Sequence, residues 1–333
     1  MMASVRKENV TKKIIPFVIA MVTGAGQLAA AQQPKQVPRI GHLGANFPTT
    51  NPARIEAFRR GLRELGYVEG KSFVIEYRSA DGRDERFPDL ATELVRLKVD
   101  LILTRGTPAA LAAKNATGTI PVVMTGIGDP VGQGVVASLA RPGANVTGLS
   151  ATTTEIYAKR VELLRELVPG AARIAAIFNM SNPSIPPQWK EVERGARSLG
   201  IQPQLLDVRK PDDLGRAFDT ATRHRADALV VGLDTLTQAN YRLIVELAAK
   251  HRLPAIYAST EFAGALITYG VNYPDLYRRA ASFADRIFKG AKPADIPVEQ
   301  PTRYELVINM KTAEAIGVTI APSLLLRADR VIQ

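Results

Sequence analysis

From residue 39 onward, short apolar runs alternate with longer amphipathic ones. "RIGHLG", "SFVIEYRSA", "DLILTRG", "IPVVMTG" and "ANVTGLS" are brief and rich in Val, Ile and Leu. Such runs predict parallel strands buried on both faces. The stretches between them repeat at helical spacing. In "NPARIEAFRRGLRELG", Ile55, Phe58, Leu62 and Leu65 share one face, Asn51 stands at the cap and Pro52 in the first turn. "FPDLATELVRLKV" and "TPAALAAKNA" predict two more helices, and "GQGVVASLA" a short one after the fourth strand.

The cycle then restarts. "TEIYAKRVELLRELV" opens a second series, in which "ARIAAIF", "QPQLLDV", "ADALVVGL" and "PAIYAS" predict strands separated by helical stretches such as "TQANYRLIVELAAKH". Strands that alternate with helices imply doubly wound parallel sheets. The expected architecture is α/β, with two such lobes joined by a hinge that the chain crosses several times. The boundaries read as 38–150 plus 262–295 for lobe 1 and 151–261 plus 296–333 for lobe 2. The late elements "EFAGALITYG", "YPDLYRRAASFADRIFKG" and "YELVINMKTAEAIG" are too few for a third domain and are expected to complete the two sheets.

The first residues follow another pattern. Arg6, Lys7, Lys12 and Lys13 precede the apolar "IIPFVIAMVTGAG", and Ala29 and Ala31 offer an A-x-A cleavage site. That order predicts a signal peptide over 1–31, and hence a periplasmic protein. The run falls short of the ~20 residues that spanning a bilayer requires. No cysteine follows it, which excludes a lipid-anchored terminus. The chain has no cysteine at all and three histidines, His42, His224 and His251, in no zinc-like spacing. A metal site, a cofactor and a thiol nucleophile are therefore not expected. The net charge of +11 is spread along the chain without a basic block interleaved with aromatics, so nucleic acid is not the expected partner.

The segment "TGIGDPVGQGVVASLARPGANVTGLS" contains "GQGVVA", a G-x-G-x-x-A match. A dinucleotide fingerprint belongs after the first strand of its sheet. This one follows the fourth, with "IGDP" between, and no acid ends a strand about twenty residues on. No G-K-[ST] is present. The glycines are expected to shape a loop at a cleft rim.

Several stretches carry a family resemblance: "GLRELGYVEGKSFVIEYRSADG", "TPAALAAKNAT", "GDPVGQGVVASLARPGANVTGLS", "LPAIYAS", "ADIPVEQPTRYELVINMKTAEAIG" and "APSLLLRADRVI". The sequence resembles the ABC-transporter substrate-binding family, in the branch that includes tryptophan- and tyrosine-type binding proteins. The resemblance implies a type I periplasmic-binding-protein fold with three interlobe crossings. It also implies capture of a small, amino-acid-like and possibly aromatic solute, delivered to an inner-membrane ABC permease and its ATPase. A periplasmic ligand sensor without transport is the alternative. A two-lobed hydrolase fits less well, because no G-x-S-x-G occurs and no catalytic residue stands out.

In open α/β sheets, ligands lie beyond the carboxyl ends of the strands. That rule selects Asn46, Thr107 and Asp129 in the first lobe, and Asn179, Ser181, Asp234, Ser259, Thr260 and Glu261 in the second. Thr107 before Pro108 suits an N-cap whose helix start could hold a carboxylate. Asp129, Asp234 and Glu261 could take an ammonium, although Asp129 and Asp234 could equally cap the helices that follow. Tyr157, just after the first crossing, is the aromatic expected to reach the cleft, with Phe47, Tyr257 and Tyr269 as further candidates.

Overall fold

The computed structural model describes residues 37–46, 52–151, 154–301 and 303–333. The leader over 1–31, the Asn51 cap and Phe47 lie outside them. Among the described residues no helix is long and apolar enough to cross a membrane.

The first lobe is built from β1 (Arg39–Gly44), α1 (Pro52–Glu64), β2 (Val74–Ser79), α2 (Phe87–Arg96), β3 (Leu101–Arg105), α3 (Thr107–Ala116), β4 (Val122–Ile127) and β5 (Val146–Ser150). Its five strands pair in parallel in the order β2-β1-β3-β4-β5. The second lobe begins with α4 (Ile156–Leu167), β6 (Arg173–Phe178), α5 (Ile185–Ser198), β7 (Gln202–Asp207), α6 (Asp213–Arg223) and β8 (Ala228–Val231). It continues with α7 (Thr235–Ala239), α8 (Tyr241–Lys250), β9 (Ala255–Tyr257) and β10 (Ile267–Gly270). After α9 (Tyr273–Phe288) come β11 (Glu305–Asn309), α10 (Met310–Ile316), α11 (Pro322–Leu325) and β12 (Arg330–Ile332). The second sheet runs β12-β11-β10-β9-β8-β6-β7. It thus contains the order of the first sheet, with β7-β6-β8-β9-β10 in place of β2-β1-β3-β4-β5. Each lobe has a topological switch point, between β1 and β3 and between β6 and β8, where the crossovers diverge and leave a crevice.

The cores follow the apolar runs. Phe58 and Leu62 of α1 pack with Leu276, Tyr277, Ala281 and Ala284 of α9 and with Leu101 and Leu103 of β3. Ile174, Ala176 and Phe178 of β6 pack with Val161 and Leu164 of α4 and Val192 of α5. The long α9 is therefore a first-lobe helix, although it is flanked in sequence by strands of the second sheet. The chain passes between the sheets after β5, after β10 and again before β11.

Four local expectations change. "GQGVVASLA" forms turns and no helix: the amides of Val135 and Val136 both bond to the Pro130 carbonyl, at 2.9 and 3.0 Å, and bury their side chains without a helical ladder. The single helix expected over 237–251 is two, broken at Asn240, whose side chain donates to the Leu236 carbonyl at 2.9 Å. Within 262–295, read as lobe 1, β10 belongs to the second sheet and pairs antiparallel with β11. Within 296–333, read as lobe 2, Ile296 and Val298 pack into first-lobe cores, and the Glu299 amide bonds to the Gly148 carbonyl at 2.9 Å.

Candidate ligand cleft

The carboxyl ends of β1, β3 and β4 face those of β6, β8 and β9 across a cavity of about 70 Å³. From the first lobe come Asn46 after β1, Arg105 to Pro108 at the β3–α3 junction, and Arg54, which points in from α1. From the second come Asn182 and Ser184 after β6, Gln188 on α5, Asp234 and Gln238 around α7, and Tyr157 and Arg160 on α4. Tyr273 and Tyr277 enter from the start of α9.

The β3–α3 junction turns sharply. Gly106 takes φ 80°, ψ 160°, a backbone region that disfavours side-chained residues. Gly106, and not Thr107 as the sequence suggested, is the N-cap; Thr107 is the first helical residue, 3% exposed. The start of α3 therefore meets the cavity together with the Arg105 guanidinium. That guanidinium lies 4.7 Å over the Tyr273 ring, and its Nη2 donates to Gln238 of the opposite lobe. Among the described residues its buried Nε has no hydrogen-bond partner. Burial and the neighbouring Arg54 charge pull Arg105 below the usual guanidinium range, and Tyr273, Tyr277 and Glu261 only partly oppose them.

Arg54 is the opposite case. Its Nε donates to both carboxylate oxygens of Glu261, at 2.7 and 3.0 Å, and Nη2 adds a further bond. Burial opposes the charge, but Glu261 outweighs it and holds the guanidinium charged. This ion pair joins the lobes, since Arg54 is on α1 and Glu261 follows β9. Behind it, His42 contacts the Tyr277 hydroxyl at 3.4 Å, and burial followed by the Arg54 charge lowers its pKa to about 4. His42 is thus neutral at ordinary pH.

Asp234 caps α7 in a capping box. Its Oδ1 accepts from the Thr237 amide at 2.8 Å, and the Thr237 hydroxyl accepts from the Asp234 amide at 2.9 Å. The carboxylate is 5% exposed. Asn179 faces it, but Oδ2 makes no well-formed hydrogen bond. Burial raises the pKa of this carboxyl, opposed by the Thr237 amide. On α4, Arg160 lies 4.1 Å over the Tyr157 ring and donates from Nε to the Tyr269 carbonyl at 2.8 Å, while Nη1 is buried without a partner among the described residues.

Of the ten residues selected from sequence, Asn46, Thr107, Tyr157 and Asp234 line the cavity. The other six do not. Asp129 is exposed in the adjoining groove, where its Oδ1 accepts from the Gly132 amide at 2.8 Å. No helix follows it, so it neither caps one nor faces the cavity. Asn179 Oδ1 is taken by the amide and hydroxyl of exposed Ser181; the analogous pair three residues on, Asn182 and Ser184, lines the wall instead. Ser259 is fully buried beside Ala258, which supplies that part of the wall, and Thr260 lies between it and Glu261, which is engaged with Arg54. Of the further aromatics, Tyr257 is buried in the second-lobe core and Tyr269 packs against it.

The sequence reading missed Arg54, Arg105, Arg160, Gln188, Gln238, Tyr273 and Tyr277. Two signals were available. Arg160 stands three residues after Tyr157, on the same helical face, and Arg105 immediately precedes the Gly106–Thr107 turn that the strand-end rule selected.

The comparisons with known proteins bear on the family and the fold. The sequence pattern of the family described as "ABC transporter substrate binding protein" matches residues 50–332. A tyrosine-binding protein of Clostridioides difficile (strain R20291) is 29% identical over 324 residues, covering 92% of each chain. The solved structure of an ABC domain in complex with L-Trp from Streptococcus pneumonia is 29% identical, with TM-score 0.78 over 88% of this chain and 100% of that one. The ligand-free, open structure of a substrate binding protein with adhesive properties from Clostridium difficile is 25% identical, with TM-score 0.64 over 89% of this chain and 100% of that one. Because the family pattern spans nearly all of the two lobes, the chain belongs to the ABC transporter substrate binding proteins.

Proposed function

We propose that this protein is the periplasmic solute receptor of an ABC importer. It captures an amino-acid-like solute between its lobes and releases it unchanged to an inner-membrane permease coupled to an ATPase. The observation that carries this reading is the pairing of unsatisfied groups across the cavity. Arg105 and the start of α3 offer donors on one wall, and Asp234 Oδ2 offers an acceptor on the other. A carboxylate and an ammonium on one small molecule answer both. The relatives named for tyrosine and L-Trp support an amino-acid ligand.

Closure about the three crossings is the accompanying motion. The Arg54–Glu261 and Arg105–Gln238 bridges can form only when the rims meet. The chain also superposes better on the L-Trp complex than on the open, ligand-free relative. The segment over 1–31, read as a signal peptide, supports the periplasmic location.

Thermal unfolding of the purified protein with and without each common amino acid tests the reading. A specific ligand at 100 times its Kd adds about 2.7 kcal/mol of stability by mass action, which raises Tm by several degrees. No shift with any amino acid, together with no retained solute in native mass spectrometry, would overturn it.

A further inference from the structure

The charges around the cavity do not cancel. Arg54 is matched by Glu261. Arg105 and Arg160 also line the cavity, and among the described residues neither has a carboxylate partner. Each keeps one buried guanidinium nitrogen without a hydrogen bond. Among the described residues, the wall sets one carboxylate without a cation of its own, Asp234, against these two. Asp84, which makes a side-chain hydrogen bond with Thr235 and feels the Asp234 charge, does not line the cavity. His42 stays neutral.

A neutral zwitterion would satisfy Arg105 and Asp234 and leave Arg160 buried without a counter-ion. An unpaired buried charge is costly. We infer that the solute carries a second acidic group, placed against Arg160, and is therefore an acidic amino acid. This rests on the receptor reading above and narrows it.

Position supports the assignment. Arg160 projects from α4 over the Tyr157 ring, on the second-lobe wall, whereas Arg105 comes from the first lobe. The α-carboxylate sits with Arg105 and the start of α3, the ammonium with Asp234, and the side-chain acid reaches Arg160. Volume points the same way. A cavity of about 150 Å³ accepts a benzene ring. This one, at about 70 Å³, needs less opening for a compact acid than for an indole or a phenol.

Isothermal titration of the protein at pH 7.5 with L-aspartate, L-glutamate, L-asparagine, L-glutamine, L-tyrosine and L-tryptophan tests the inference. The expected result is that one of the two acids binds at least tenfold tighter than its own amide and than either aromatic amino acid. An amide or aromatic amino acid that binds as tightly as both acids overturns the acidic-solute inference and leaves the receptor reading standing. Silence from all six overturns the acidic-solute inference, and the receptor reading then stands or falls on the thermal screen of all the common amino acids and the native mass spectrum. In Arg160→Gln, the tenfold preference for acid over amide is expected to disappear while the amide still binds; a preference that persists in the folded variant overturns the role given to Arg160. The ligand series on the unaltered protein decides the matter if that variant does not fold.

Discussion

The two lobes share a strand order, yet their facing rims carry opposite charge. The first-lobe rim presents Arg54 and Arg105, and its own strand-end acid, Asp129, is turned out of the cavity. The second-lobe rim presents Asp234 and Glu261. Arg160 is the exception, and it comes from α4, behind the second-lobe strand ends. The same strand-to-helix architecture thus supplies donors on one side and acceptors on the other. What separates Asp129 from Asp234 is the element that follows. A helix after β8 fixes Asp234 by one oxygen and buries the other. A glycine-rich turn after β4 closes around Asp129 and leaves it in solvent.

The largest effect is expected where the two rims touch directly. Glu261→Gln leaves Arg54 nine-tenths buried without a counter-charge. Breaking a buried pair from one side costs about 3–5 kcal/mol, and denaturant unfolding of the ligand-free protein would read the loss. Arg54→Met in the Glu261→Gln background should recover part of it, because both charges are then gone. A single variant as stable as the parent would show that the rims are not joined in solution.

Next in size is the acid left for the solute. Asp234→Asn keeps an Oδ1 to cap α7 but removes the charge. Truncating one partner of a buried charge pair costs about 2–5 kcal/mol, so affinity for the bound amino acid should fall on the order of 100-fold. Ligand-free stability should stay level or rise, because the folded state already disfavours the ionised carboxyl. Calorimetry and thermal unfolding on the same variant separate the two effects.

Asp84 is a first-lobe acid placed against the acidic second rim, and it tests the comparison through pH. Burial raises its pKa from 3.8 to about 6, with the Asp234 charge adding to the shift. A carboxyl with a raised folded pKa contributes stability below its unfolded pKa and loses it as pH rises through the folded value. The window is therefore about pH 4 to 6. Asp84→Asn should stabilise the protein by about 1–2 kcal/mol at pH 7.5 and change it little at pH 4. An equal gain at both pH values would mean that ionisation at Asp84 is not what the fold resists.

Most of the fold was legible because buried parallel strands are written as runs. The apolar stretches over 39–44, 101–105 and 228–231 stand out against amphipathic helices, and their carboxyl ends mark the cavity. The charged half of the site was not legible in that way. Arg54 and Arg160 sit in amphipathic helices, where an arginine ordinarily faces water, and Arg105 is the single charge at the end of an apolar strand. All three line the cavity where the two lobes meet, which no single element reveals. The antiparallel β10–β11 pair was hidden for a similar reason, since "ITYG" carries no trace of which lobe its neighbours belong to.

The smallest effect is the one that makes the contrast between the two strand-end acids decisive. Asp129 was as strong a candidate as Asp234 by position, and its loop is rich in glycine. In the structure one of these glycines, Gly132, serves the aspartate. A Cβ at Gly132 would collide with the Asp129 carboxylate, which accepts from the Gly132 amide. An Asn side chain can accept that bond with its Oδ1, and no solute contact is lost. Asp129→Asn should therefore leave affinity within about twofold and stability within about 0.5 kcal/mol, the ordinary range for a surface change. Gly132→Ala, by contrast, should cost more than Asp129→Asn although it alters no charge, because the carboxylate must move. If Asp129→Asn instead weakens binding as much as Asp234→Asn does, the groove beside the cavity is part of the solute site and the first rim is not purely cationic.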